Sequence, residues 1–312
     1  MTTLSFNNNK MSPIRALLAI LIVVGHFSYF GVVELTFLRV LAPVCVSIFL
    51  FISGYGLMVS YQKNGNAYLD TFLQKRILKI VLPAILVSLL HLLLCGNGGI
   101  SLLERARLIV TKGATLLPHY WFVWAILYDY LVFWCSFRWL SGTRPRYAIV
   151  LLSMGFTIVT ALTGFDRCWL VCSLAFPTGV LFAAHEPGIF SFCGSKTTNY
   201  WLLLVLFSLA FAGLYFSGKL ICRVLCYVLI TPVAALVISR IPLDVMKLPV
   251  LRWTGTISYE VYLIHITAMA FLRGEHLYIS SNPLFVAAVL CVTVAAAYGI
   301  HYLSQIITPI TN

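Results

Sequence analysis

Ten continuously apolar runs, separated by short polar stretches, take up most of this 312-residue chain. They lie at about 13–31, 40–60, 72–95, 117–136, 146–164, 169–184, 200–217, 221–239, 250–272 and 283–306. Runs of this kind read as membrane-spanning helices. None alternates apolar with polar residues, which excludes an outer-membrane barrel. A chain that is 61% hydrophobic and 10% charged is also no water-soluble globular domain. The expected fold is all-α: a polytopic membrane protein of about ten transmembrane helices. It is expected to form a single integral membrane domain over residues 1–312, with no appended soluble domain and no cleaved signal peptide.

The basic residues sit between the apolar runs, so the net charge of +12 points to membrane lipid headgroups and not to nucleic acid. With both termini in the cytoplasm, Lys and Arg divide 13 inside to 8 outside, the sense required by the positive-inside rule. The expected location is therefore the cytoplasmic (inner) membrane, crossed many times, with both termini cytoplasmic. The nine cysteines include no C-x-x-C pair, and no metal site is expected.

The first run carries two ionisable residues, Arg15 and His26, in RALLAILIVVGH. Eleven helical steps of about 100° bring them back to one face, about 16 Å apart along the axis. Ionisable groups are costly in lipid and usually line a polar cavity. The plainer alternative is an arginine that snorkels to the interface and a histidine that packs through a hydrogen bond.

Other polar residues interrupt the later runs. Ser53 and Gly54 break IFLFISGY; small residues here serve packing or let a ligand approach. Arg76 and Lys79 share a helix face at the start of the third run, suited to a phosphate or to simple anchoring. Asp129 lies inside the fourth run and needs a partner, for which His91 is a candidate. Ser258, Tyr262 and His265 line one face of the ninth run, and Glu260 points elsewhere. That stripe suits interhelical hydrogen bonds as well as catalysis.

These motifs, in this order, resemble those of the acyltransferase 3 family of integral membrane acyltransferases. Arg15 and His26 resemble its R-x(10)-H. IFLFISGY over 48–55 resembles F-F-x-x-S-G-F. Arg76 and Lys79, followed by Pro83, resemble R-x-x-R before a proline. Trp121-Phe122 resembles W-F, and Ser258-Tyr259-x-x-Tyr262-Leu263-x-His265 resembles S-Y-x-x-Y-L-x-H. Two positions depart: Ser47 stands where many members carry Asp, and Lys79 replaces the second Arg, exchanging a bidentate fork for a point charge.

The resemblance implies O-acyl transfer from a cytoplasmic acyl-CoA, most often acetyl-CoA, to a hydroxyl of a cell-surface glycan or lipid-linked glycan. It makes His26 and Arg15 the catalytic candidates, with Arg15, Arg76, Lys79, Ser53 and Gly54 binding the donor. Trp121, Ser258, Tyr262, His265, Asp129 and Glu34 would support them, and Glu34, Asp129 or Glu260 would orient a histidine. The rival reading is a transporter or flippase for a polar lipid or small solute, because intramembrane ionisable groups mark transport paths too. No two-half repeat of the transporter kind is visible. A third reading is an acyltransferase-like sensor or scaffold without turnover.

Overall fold

A computed structural model of the chain describes residues 8–32, 36–96, 101, 103–104, 107–108, 117, 120–165, 167–242, 247–275 and 277–308. Among these residues there is no strand, only an isolated bridge between Arg273 and Tyr278. The helices are α1 (Asn8–His26), α2 (Thr36–Asn64), α3 (Ala67–Asp70), α4 (Phe72–Cys95), α5 (Trp121–Trp139), α6 (Arg144–Leu162) and α7 (Arg167–Cys172). They continue with α8 (Ala175–Ser195), α9 (Thr197–Phe216), α10 (Leu220–Arg240), α11 (Pro249–Thr256), α12 (Ser258–Leu272) and α13 (Asn282–Ile307). A 3₁₀ turn over Phe27–Phe30 extends α1. The protein is an all-α polytopic membrane protein.

Eight segments of the described residues are long and apolar enough to cross a membrane, or nine if a bent pair counts as one span. The sequence suggests about ten. The difference lies in α5, a 19-residue helix whose Trp and Tyr residues and Asp129 dilute its apolar character. The ninth expected run is not one straight helix. It breaks by 75° between α11 and α12. The expected 169–184 run is likewise divided, at Ser173–Leu174, between α7 and α8.

Burial ranks the helices. The best windows of α2 and of the α7–α8 segment are each 67% buried, against 17% for α6 and 6% for α9. The first set therefore forms the protein interior, and α6 and α9 present their sides to lipid. Two helix ends show local control. Gly65 (φ +58°) closes α2, and its N–H reaches the Tyr61 carbonyl at 2.7 Å. Gly96 (φ +70°) closes α4 in the same way on Leu92.

Small residues bring the interior helices together. A Cβ on Gly54 of α2 would stand 2.2 Å from the Phe176 carbonyl oxygen of α8. A Cβ on Gly179 of α8 would stand 2.1 Å from the Phe51 carbonyl oxygen of α2. The two glycines let these backbones touch, the usual use of small residues between membrane helices. Gly255 of α11 meets the Ser12 backbone of α1 in the same manner. Ser12 Oγ also donates to the Arg252 carbonyl at 2.9 Å. This clamp sets the end of α11 beside Arg15, one turn along α1 from Ser12.

Candidate active site

The break at Ile257 opens a cavity of about 410 Å³ between α1, α2, α4, α5, α11 and α12. Ser258 stabilises the bend, its hydroxyl donating to the Gly255 carbonyl at 3.0 Å. Tyr259 ties α12 to α4 by donating to the Ile80 carbonyl at 2.9 Å. Arg15, Arg76 and Lys79 all line the cavity, and among its described lining residues there is no carboxylate. Three cations thus face one lumen from two helices. Arg76 also lies 5.8 Å from the ring centre of Tyr68, a cation–π contact that steadies the guanidinium.

The lumen is graded along α2. Its wall there runs through Val46, Phe49, Ile52, Ser53, Gly56, Leu57 and Ser60, about 21 Å of helix at about 1.5 Å per residue. The Arg15 end is open: Arg15, Lys79 and Thr256 are exposed. The other end is apolar and closed, with Val46, Ile52, Phe122, Ile126 and Tyr262 buried. Ser53 sits between the two ends, its hydroxyl 3.2 Å from that of Tyr130.

His26 is not in this lining. It stands behind the closed end. Tyr262, which does line the cavity, has its ring centre 5.9 Å from that of His265. The His265 ring in turn meets the His26 ring edge-on at 4.8 Å. Both imidazoles are oriented by their own helices. His26 Nδ1–H donates to the Ile22 carbonyl at 2.8 Å, and His265 Nδ1–H donates to the Tyr262 carbonyl at 2.6 Å. A carbonyl only accepts, so in each neutral ring Nε2 keeps the lone pair. His265 is completely buried, whereas His26 is partly accessible beside the exposed Tyr29.

The other sequence candidates divide. Ser53, Ser258 and Tyr262 line the cavity. Gly54 does not: it faces α8 because the close α2–α8 contact needs it there. Its neighbour Gly56 takes the cavity position, with nothing within 4 Å of where a Cβ would be. Trp121 also points away, toward Trp169 of α7 at 6.4 Å between ring centres, and Phe122 supplies the wall. Asp129 is buried outside the lining. His91 pairs instead with Thr267, Nδ1 to Oγ1, at 3.1 Å. Glu260 orients neither site histidine; its carboxylate accepts from His301 Nδ1–H at 2.8 Å. Ser47 is fully buried. Glu34 lies outside the described residues.

Sequence reasoning missed Phe49, Gly56, Ser60, Ile126 and Tyr130, and it named Phe122 and Tyr259 only as motif neighbours of Trp121 and Ser258. The signal was present. Phe49, Ser53, Gly56 and Ser60 repeat at three- and four-residue steps, as do Phe122, Ile126 and Tyr130, so each set shares a helix face. Extending the face of Ser53 along its helix would have found the first set.

A family profile described as an acyltransferase domain, that of the acyltransferase 3 family, matches residues 11–302. That stretch includes every cavity-lining residue and both histidines. Comparisons with curated proteins and with solved structures give no match.

Proposed function

Because the chain belongs to the acyltransferase 3 family of membrane acyltransferases, we propose that it moves an acyl group from a cytoplasmic acyl-CoA to an acceptor hydroxyl approaching from the opposite face. The acceptor in this reading is a cell-surface or lipid-linked glycan in the inner membrane. The observation that carries the proposal is the graded cavity: cations at the open end, an apolar floor at the other, and a histidine pair beyond it. Arg15, Arg76 and Lys79 would hold the donor phosphates by charge-assisted hydrogen bonds. The slender pantetheine arm would pass the Ser53–Gly56–Ser60 face of α2. Its thioester would then stop beside Tyr262.

His26 is the general base in this reading. Its Nε2 takes the proton of the acceptor hydroxyl as that oxygen attacks the thioester carbonyl. The C–S bond breaks, the ester forms, and the proton passes to the departing thiolate of CoA. Tyr262 and, behind it, His265 stand between the thioester and His26, so transfer requires both side chains to move aside. A closed Tyr262 keeps the cytoplasmic cavity sealed from the acceptor side between turnovers.

The test uses purified protein in lipid nanodiscs with acetyl-CoA labelled in its acetyl group and a lipid-linked glycan fraction from host membranes. Base-labile label in the glycan, together with equimolar free CoA, supports the proposal. A transporter or flippase would give neither.

A further inference from the structure

The closed end of the cavity has two unlike sides. Toward α12 it ends on Tyr262, behind which lie His265 and His26. Toward α2 and α5 it ends on Phe49 and Phe122. The Phe122 ring packs edge-on against Tyr262 at 5.0 Å and against Phe49 at 6.5 Å, between ring centres. It also meets Trp121 at 6.4 Å. Phe122 and Tyr262 are 5% and 4% exposed, so these two rings are packed, and Phe49 beside them is half-buried. Edge-to-face ring packing of this kind has preferred geometry and resists displacement.

Resting on the donor reading above, we infer that Phe122, with Phe49 beside it in the cavity wall, sets the length of the acyl group and restricts the donor to short chains. A thioester held with its carbonyl toward Tyr262 must send its acyl tail toward these two rings. The lumen of about 410 Å³ is near the lower end for small-molecule sites, and in the donor reading a pantetheine arm would take up most of its length. Ile126, one turn below Phe122 on α5, narrows the approach. Each added methylene must therefore displace packed aromatic atoms, because interiors at this density have no spare room.

The experiment measures binding of acetyl-CoA and octanoyl-CoA to the purified full chain in detergent, with free CoA as reference. Wild type is expected to bind acetyl-CoA at least about tenfold more tightly than octanoyl-CoA, the scale on which a packed pocket rejects an oversized chain. Phe122→Ala should lower that ratio to near one or invert it. Phe49→Ala enlarges the same corner from α2 and should move the ratio in the same direction, so the test survives misfolding of either variant. Equal wild-type binding of both donors overturns the inference while leaving the donor reading intact. So does an unchanged ratio in folded variants. Failure of acetyl-CoA, octanoyl-CoA and CoA alike to bind overturns the donor reading and this inference with it.

Discussion

The His26 and His265 rings meet edge-on with their centres 4.8 Å apart, and each donates Nδ1–H to a carbonyl of its own helix. The pair joins α1 to α12 behind the cavity floor. Of the two, only His26 keeps part of its surface accessible. The two rings thus differ in setting: His265 is completely buried, and His26 is half-buried.

If Arg76 and Lys79 hold the donor phosphates as proposed, Arg76→Ala and Lys79→Ala should raise the apparent KM for acyl-CoA more than they lower kcat, because such a contact would be the same in ground state and transition state. Steady-state kinetics at varied donor concentration checks this. Lys79→Arg restores the bidentate fork and should lower KM. An unchanged KM in well-expressed alanine variants would return both residues to membrane anchoring.

Gly54 and Gly56, two residues apart, should respond in opposite ways. Gly54→Ala drives a methyl into the Phe176 carbonyl and should destabilise the fold by about 1–3 kcal/mol, the usual scale of overpacking. Gly56→Ala meets nothing within 4 Å and should leave thermal stability unchanged. Gly56→Trp should keep the fold and abolish donor binding by filling the lumen. Thermal unfolding in detergent and a donor-binding assay separate the two. A stable Gly54→Ala would contradict this close α2–α8 packing.

The membrane class was legible because lipid imposes one continuous signal, long apolar runs, on each spanning helix. Arg15, Arg76 and Lys79 were legible as candidates because charge in such runs is expensive, and the fold gathers all three into one lumen. Gly54 and Trp121 were misplaced for a different reason. A glycine between helices and a glycine facing a ligand look alike in sequence, and only the partner helix distinguishes them. The bend at Ile257 was hidden because WTGTIS contains no proline, and the tertiary contact beside it, Gly255 on Ser12, cannot be read locally. Partners of buried polar groups were equally hidden. Nothing local assigns Glu260 to His301, 41 residues away.

Both termini and the loops near residues 65 and 143 should be cytoplasmic, since Lys63, Lys75, Arg138, Arg144 and Arg146 flank them. Gly65→Cys and Thr143→Cys, in a background with the native cysteines replaced, should resist an impermeant thiol reagent in intact cells and react after lysis. Labelling of both from outside would invert the topology and place the cationic end of the cavity on the wrong side for a cytoplasmic donor.

Arg15→Ala should lose donor binding, because the guanidinium lies in the cavity wall, about 16 Å along α1 from His26. His26→Ala should leave donor affinity in place and cut transfer by about 10² or more, the usual scale of a general base. The most direct test is the paired measurement of donor affinity and transfer rate on His26→Gln, which keeps the hydrogen-bonding side chain but cannot accept a proton in turnover. With His26 as general base, the variant should fold, bind acyl-CoA like wild type and transfer at about a hundredth of its rate or less. Transfer near the wild-type rate would make His26 a packing residue and contradict the mechanism.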